Sequence, residues 1–126
     1  MTPITISAPM KSVSIKVNTP DGKMFVVIAE ENGVPKEILI YIGKAGYALS
    51  AWCEALQRIV ALALKSGVDI HTIITEISNL RSDKSVMSNG LVVRSGPEGL
   101  VVALLRYLSM KNESREDDYR PARLGR

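Results

Sequence analysis

The stretch Tyr41-Ile42-Gly43-Lys44-Ala45-Gly46-Tyr47-Ala48-Leu49-Ser50-Ala51-Trp52-Cys53-Glu54-Ala55-Leu56-Gln57-Arg58-Ile59-Val60 passes from a strand through a glycine turn into a helix, and its reading decides the fold. After Gly46 the residues Leu49, Trp52, Cys53, Leu56, Ile59, Val60 and Ala63 recur at three- and four-residue steps, the helical period. Ala48, Ala51, Ala55, Leu62 and Leu64 widen that stripe beyond one face, leaving Ser50, Glu54, Gln57, Arg58 and Lys65 as the solvent-compatible positions. A helix that is apolar nearly all round packs on more than one side. From Tyr47 to Ser66 the pattern therefore predicts a central helix, a homo-oligomer interface, or both.

Upstream the period changes to two. Val13, Ile15 and Val17 alternate with Ser12, Ser14 and Lys16, the signature of a half-buried strand over Lys11 to Asn18. Thr19-Pro20-Asp21-Gly22 reads as a tight turn, because proline pre-sets one backbone angle and glycine accepts the difficult one. Lys23 to Glu30 and Lys36 to Tyr41 are two further strands, and Asn32-Gly33 between them tolerates the positive φ values of a hairpin turn. An antiparallel meander results.

Downstream, Gly67 suits a helix C-cap and Asp69 an N-cap, followed by the stripe Ile70, Ile73, Ile74 and Ile77. Ser82 to Gly90 reads as a polar loop and Leu91 to Val93 as a short strand. Ser95-Gly96-Pro97-Glu98 starts a last helix, with Leu100, Leu104, Leu105 and Leu108 as its stripe. The expected fold is α+β: an antiparallel meander packed against a long central helix and two shorter helices. Residues 1–110 form one domain, and residues 111–126 a charged tail poor in apolar side chains and expected to be disordered.

Composition agrees with one soluble domain. The 126 residues are 46% hydrophobic and 23% charged, with a net charge of +3. Basic and acidic residues interleave, so no dense basic stripe marks a nucleic-acid partner. The first residues lack the basic start and apolar core of a signal peptide, and Glu54, Gln57 and Arg58 interrupt the longest apolar run, so a membrane span is not expected and a cytoplasmic location is. A single cysteine, Cys53, and a single histidine, His71, cannot assemble a four-ligand zinc site within one chain. No metal and no cofactor is expected.

The turn Gly43 to Gly46 is the position best suited to a ligand. Two glycines permit a sharp bend and close approach, free amides at a helix start favour an anion, and Lys44 adds positive charge. The spacing is not that of a Walker loop, so phosphate recognition and a purely structural turn both remain readings. Glu54 and Arg58, four apart on the helix, form either a solvated ion pair or a ligand-facing polar patch. Ser95 to Gly99 reads as a structural cap, and His71, without a nucleophile near it in sequence, as a capping or surface residue rather than a catalyst.

Tyr41 to Gly46, the helix stretch Glu54 to Asp69, the preceding hairpin and Asn79-Leu80-Arg81 together resemble the C-terminal segment of adenosylcobalamin-dependent ribonucleotide reductases. That segment is named for its Thr-Ser-Cys-Pro-Asp motif and also occurs as stand-alone small proteins, including phage-encoded ones. The resemblance covers roughly Ser14 to Leu108. Where the family carries cysteines, this chain has Gly96 within Arg94-Ser95-Gly96-Pro97-Glu98, Ser82 after Leu80-Arg81, and Pro20-Asp21-Gly22. Thiolate chemistry from those positions does not carry over, since glycine and serine cannot replace it. The resemblance supports the position of the turn. The anion-suited turn, the lost reactive residues and the apolar helix together lead to the expectation of a non-catalytic homo-oligomer that binds a phosphate-bearing nucleotide through Gly43, Lys44, Ala45, Gly46, Glu54 and Arg58, and a sequestering protein used by a phage against nucleotide signalling is one version. The alternative is an interaction module or accessory subunit of a nucleotide-metabolism enzyme such as ribonucleotide reductase.

Overall fold

The computed structural model describes residues 11–113. Three strands, β1 (Lys11–Thr19), β2 (Gly22–Glu31) and β3 (Val34–Ile42), form an antiparallel sheet in the order β1-β2-β3. Two helices follow, α1 (Tyr47–Lys65) and α2 (Ile70–Ile77), then a hairpin of β4 (Val86–Ser88) and β5 (Leu91–Val93), and finally α3 (Gly96–Glu113). The expected α+β meander with three helices is the observed architecture. No helix among the described residues is long and apolar enough to cross a membrane.

Register explains the sheet. Val17 pairs with Met24, Ile15 with Val26, Met24 with Ile42, and Val26 with Ile40, so these apolar side chains line one face in rows. All of them are buried. The turns carry the chemistry that strand twist demands: Asn32 and Gly33 both have positive φ (56° and 78°), as do Asn89 and Gly90 (48° and 85°). On the other face of the sheet Phe25 and Tyr41 stack with ring centroids 5.1 Å apart.

α1 lies over β3, whereas α3 lies over β1 and reaches β2. The helix that fills the core is α3. Leu100, Ala103, Leu104 and Tyr107 are at most 1% exposed, while α1 buries only Cys53, Val60 and Leu64. Within one chain α1 is therefore a flank rather than a centre, and Trp52, Ile59 and Leu62 on its outer side are largely exposed. α3 also nearly equals α1 in length, because Lys111 to Glu113, assigned by charge pattern to the tail, continue the helix. The rest of that expected tail, 114–126, lies outside the described residues.

The amino end of α3 rests directly on the β1–β2 turn. A Cβ at Gly99 would lie 2.6 Å from Cγ2 of Thr19, and Thr19 cannot move aside easily. Its hydroxyl donates to the Gly22 carbonyl (2.8 Å) and accepts from the Asp21 amide (3.1 Å). Gly99→Ala should lower stability by about 1–2 kcal/mol, because overpacking outweighs the helix-propensity gain of about 1 kcal/mol. The sign decides: a variant with a raised urea midpoint would show that the turn yields.

Candidate functional site

The segment between β3 and α1 forms a turn, but not by the means expected. The glycines at 43 and 46 have no positive φ; the left-handed residue is Lys44, at φ 62°. Gly43 donates its amide to the Lys23 carbonyl (3.0 Å), which fixes the end of β3. Gly46 is the N-cap of α1, with extended backbone, no side-chain cap and no acidic residue in the first turn. A Cβ at Gly46 would meet nothing within 4 Å. The first amides of α1 thus have no side-chain acceptor, and the exposed Lys44 stands beside them.

Glu54 and Arg58 sit farther along α1. Arg58 donates Nη2 to Glu54 Oε2, and both side chains are more than half exposed. Eight residues separate Glu54 from Gly46, about 12 Å of helix rise. A groove of ≈ 440 Å³ runs past Glu54 and Arg58 along Ala51, Ala55 and Ile59. A second, of ≈ 430 Å³, lies between α1 and the free edge of β3, where Glu54 and Ser50 face Leu39 to Ile42. There Gln57 accepts the Ile40 amide (2.9 Å) and satisfies part of the strand edge. Neither groove includes the turn residues Gly43, Lys44, Ala45 or Gly46, so the candidate residues form two neighbouring patches rather than one pocket.

The other helix starts are occupied. At α2, Asp69 accepts from the His71 amide (2.9 Å) and lies 3.1 Å from His71 Nδ1. The amide bond, with the ring contact, holds the Asp69 carboxyl below its ordinary range. At α3, Glu98 donates its amide to Ser95 Oγ (3.1 Å), and the Glu98 carboxylate accepts the Arg94 amide (2.8 Å) and Nε (2.8 Å), a form of capping box. Bonding to Arg94 keeps the Glu98 carboxyl low despite its burial. Asp69 is thus the cap of α2, with the exposed His71 as its amide donor, and the Ser95–Gly99 segment is a cap as expected. Cys53 is buried, and desolvation together with the Asp21 charge pushes its thiol up, so that it reacts slowly. Among the described residues no three acidic, histidine or cysteine side chains cluster to hold a metal.

Sequence reasoning passed over a third cleft. It lies between α1 and the amino end of α3, where Ile40 and Ile42 form the floor, Leu49, Trp52 and Cys53 one wall, and Gly96 and Pro97 the other; its volume is ≈ 360 Å³. Asp21, read only as a turn residue, is the one charged group in its lining.

These features define a small α+β domain with one uncapped helix start and no metal cluster among the described residues. A family model, the TSCPD domain, matches residues 5–108, and the chain belongs to that family. No curated protein and no solved structure matches it.

Proposed function

We propose that this protein binds a phosphate-bearing nucleotide without turning it over, and does so as a homo-oligomer. The observation that carries the reading is the amino end of α1, whose amides have neither a side-chain cap nor a first-turn acid while Lys44 stands beside them. Such a helix end favours an anion through both its free donors and its dipole. Arg58 supplies a second cation if a ligand bridges the two patches, at the cost of its pairing with Glu54. Sequestration of a nucleotide signal, as a phage could use against host defence, is one concrete form of this function.

Calorimetry against mono-, di- and cyclic nucleotides tests it, and no binding at micromolar ligand would sink it. Lys44→Ala is expected to weaken binding about tenfold, the scale of one charge-assisted hydrogen bond. The substitution keeps a non-glycine residue at the same left-handed position, so the fold should be unaffected. An unchanged affinity would move the phosphate site elsewhere.

One observation favours a second reading, an accessory module of a nucleotide-metabolism enzyme: Trp52, Ile59 and Leu62 are 75%, 67% and 65% exposed along one side of α1. Recovery of a stable protein partner, with no small molecule bound to the purified chain, would support it.

A further inference from the structure

The cleft between α1 and α3 suits one kind of ring. α1 covers β3 and α3 covers β1, and the cleft runs between the two helices over Met24, Ile40 and Ile42, which are themselves buried, so a ligand there would rest on the closed core rather than enter it. Its volume, ≈ 360 Å³, falls within the range of small-molecule sites, about 300–1,000 Å³. The walls are aliphatic side chains, Pro97 and the Cys53 thiol, surfaces that favour a flat apolar body over a charged one. Trp52 stands at the rim with its indole three-quarters exposed, a platform on which a planar ring can stack.

The polar end of the cleft is Asp21. Its carboxylate lies close to the α3 backbone, with Oδ2 3.3 Å from where a Cβ at Gly96 would be. Gly96 thus leaves the room that any larger residue would take. Asp21 is exposed, and among the described residues no donor bonds to its carboxylate and no cation pairs with it, so a ligand there competes only with water. An ionised carboxylate has two acceptor oxygens and no donor, so it recognises an edge that presents two adjacent N–H groups. Guanine presents such an edge, in N1–H and the neighbouring amino group. Adenine and cytosine each place a ring acceptor beside their amine, which a carboxylate repels, and uracil flanks its single N–H with carbonyls.

We propose that this cleft binds a guanine base, stacked against Trp52 and hydrogen-bonded through its N1–H and amino edge to Asp21. The inference deepens the nucleotide reading and rests on it: Ile42 on the cleft floor directly precedes the Gly43–Gly46 turn, and Leu49 in the first turn of α1 lines the wall. A base in the cleft and a phosphate at the α1 amino end are then parts of one ligand.

The chain carries its own reporters, since Trp52 is its single tryptophan and Cys53 its single cysteine. The full chain is titrated with guanosine, inosine, adenosine, xanthosine, guanosine monophosphate and ribose 5-phosphate, following Trp52 emission and the rate of Cys53 modification by a thiol reagent. Guanosine should quench Trp52 saturably and protect Cys53. Adenosine and inosine should bind more weakly, because adenosine sets a ring acceptor against the carboxylate and inosine forms one of the two hydrogen bonds. Asp21→Asn exchanges one acceptor for a donor and should invert the order of guanosine and xanthosine, an outcome that misfolding cannot imitate. Equal affinity for guanosine monophosphate and ribose 5-phosphate, or guanosine binding without Cys53 protection, would overturn the guanine site and leave the phosphate reading standing. Absence of binding by every nucleotide and nucleoside would overturn both.

Discussion

Glu30→Ala is expected to lower the stability of the domain by about 2–4 kcal/mol, the largest loss we foresee from one side-chain truncation. Glu30 lies on the inner face of β2 and is 4% exposed. Its Oε2 accepts the hydroxyl of Tyr107, itself 1% exposed, and lies 2.9 Å from Lys111 Nζ. Truncation leaves the Tyr107 hydroxyl buried without its acceptor and Lys111 without that carboxylate. Lys111 is partly exposed, so its ammonium can recover water, and the cost falls short of that for a fully buried pair. Urea unfolding measures the change, and a loss below about 1 kcal/mol would show that the network is no more than surface decoration.

The same network fixes a pH dependence. Burial alone would raise the Glu30 carboxyl, but the Tyr107 hydroxyl and the Lys111 ammonium outweigh it and hold the group below its ordinary value. Tyr107 moves upward for matching reasons, through burial first and then its bond to the Glu30 carboxylate. A carboxyl that is more acidic in the folded state contributes stability above its unfolded pKa, about 4.3. That contribution disappears as pH falls through the folded value. Glu30→Gln should therefore reduce the acid limb of the stability profile, leaving the part that the lowered Asp69 and Glu98 carboxyls contribute; an unchanged limb would assign acid unfolding to those carboxylates.

Local chemistry made the meander legible before any coordinates. The alternation of Ile15 and Val17, the Asn32-Gly33 turn and the Gly67 helix end each depend on neighbours in sequence, and each is where expected. Gly67 takes φ 89°, and the Val68 amide bonds back to the Ala63 carbonyl at 2.9 Å, as a Schellman ending requires. β4 escaped notice because three residues give too little alternation to separate Val86–Ser88 from a loop. For α1 the choice between a central helix and an interface stays open in the sequence, because an apolar periodicity does not say which neighbour covers it. Glu30 and Lys111 looked like the end of a strand and the start of a tail; only the fold, across 81 positions of sequence, makes them partners.

The candidate site divides along the same line. The Gly43–Gly46 turn is local, so its position was readable, although the left-handed residue proved to be Lys44 and not a glycine. Nothing local could show that the two grooves lined by Glu54 do not include the turn. The α1–α3 cleft takes its lining from the β1–β2 turn, the sheet, α1 and the start of α3, four segments whose convergence is a property of topology alone. Asp21 had no signal beyond that of a turn residue.

Ile59→Glu combined with Leu62→Glu is expected to break the proposed homo-oligomer, with the affinity of one copy for another reduced at least about a thousandfold, or ~4 kcal/mol. The proposed occupant of the exposed α1 face is a second copy of this chain, because the face complements itself. Small side chains, Ala48, Ala51 and Ala55, occupy its amino half, and the large Ile59 and Leu62 its carboxyl half. Two such helices packed antiparallel about a two-fold axis at Ala55 set Leu62 of each copy against Ala48 of the other, and Ile59 beside Ala51 and Trp52. The same operation brings Glu54 of one copy next to Arg58 of the other, so the pair that closes on itself within one chain can be exchanged between chains. Parallel packing would set large side chains against large ones and like charges together. Each glutamate introduced at 59 or 62 must lose its water within such an interface, and the symmetry doubles the penalty. Both positions are exposed in the single chain, so helix content and the urea midpoint of the isolated subunit should change little. Light scattering with circular dichroism separates the cases. A wild-type chain that is monomeric at high micromolar concentration, or a double variant that still dimerises, would remove α1 as the self-association surface and leave its apolar face to a different protein.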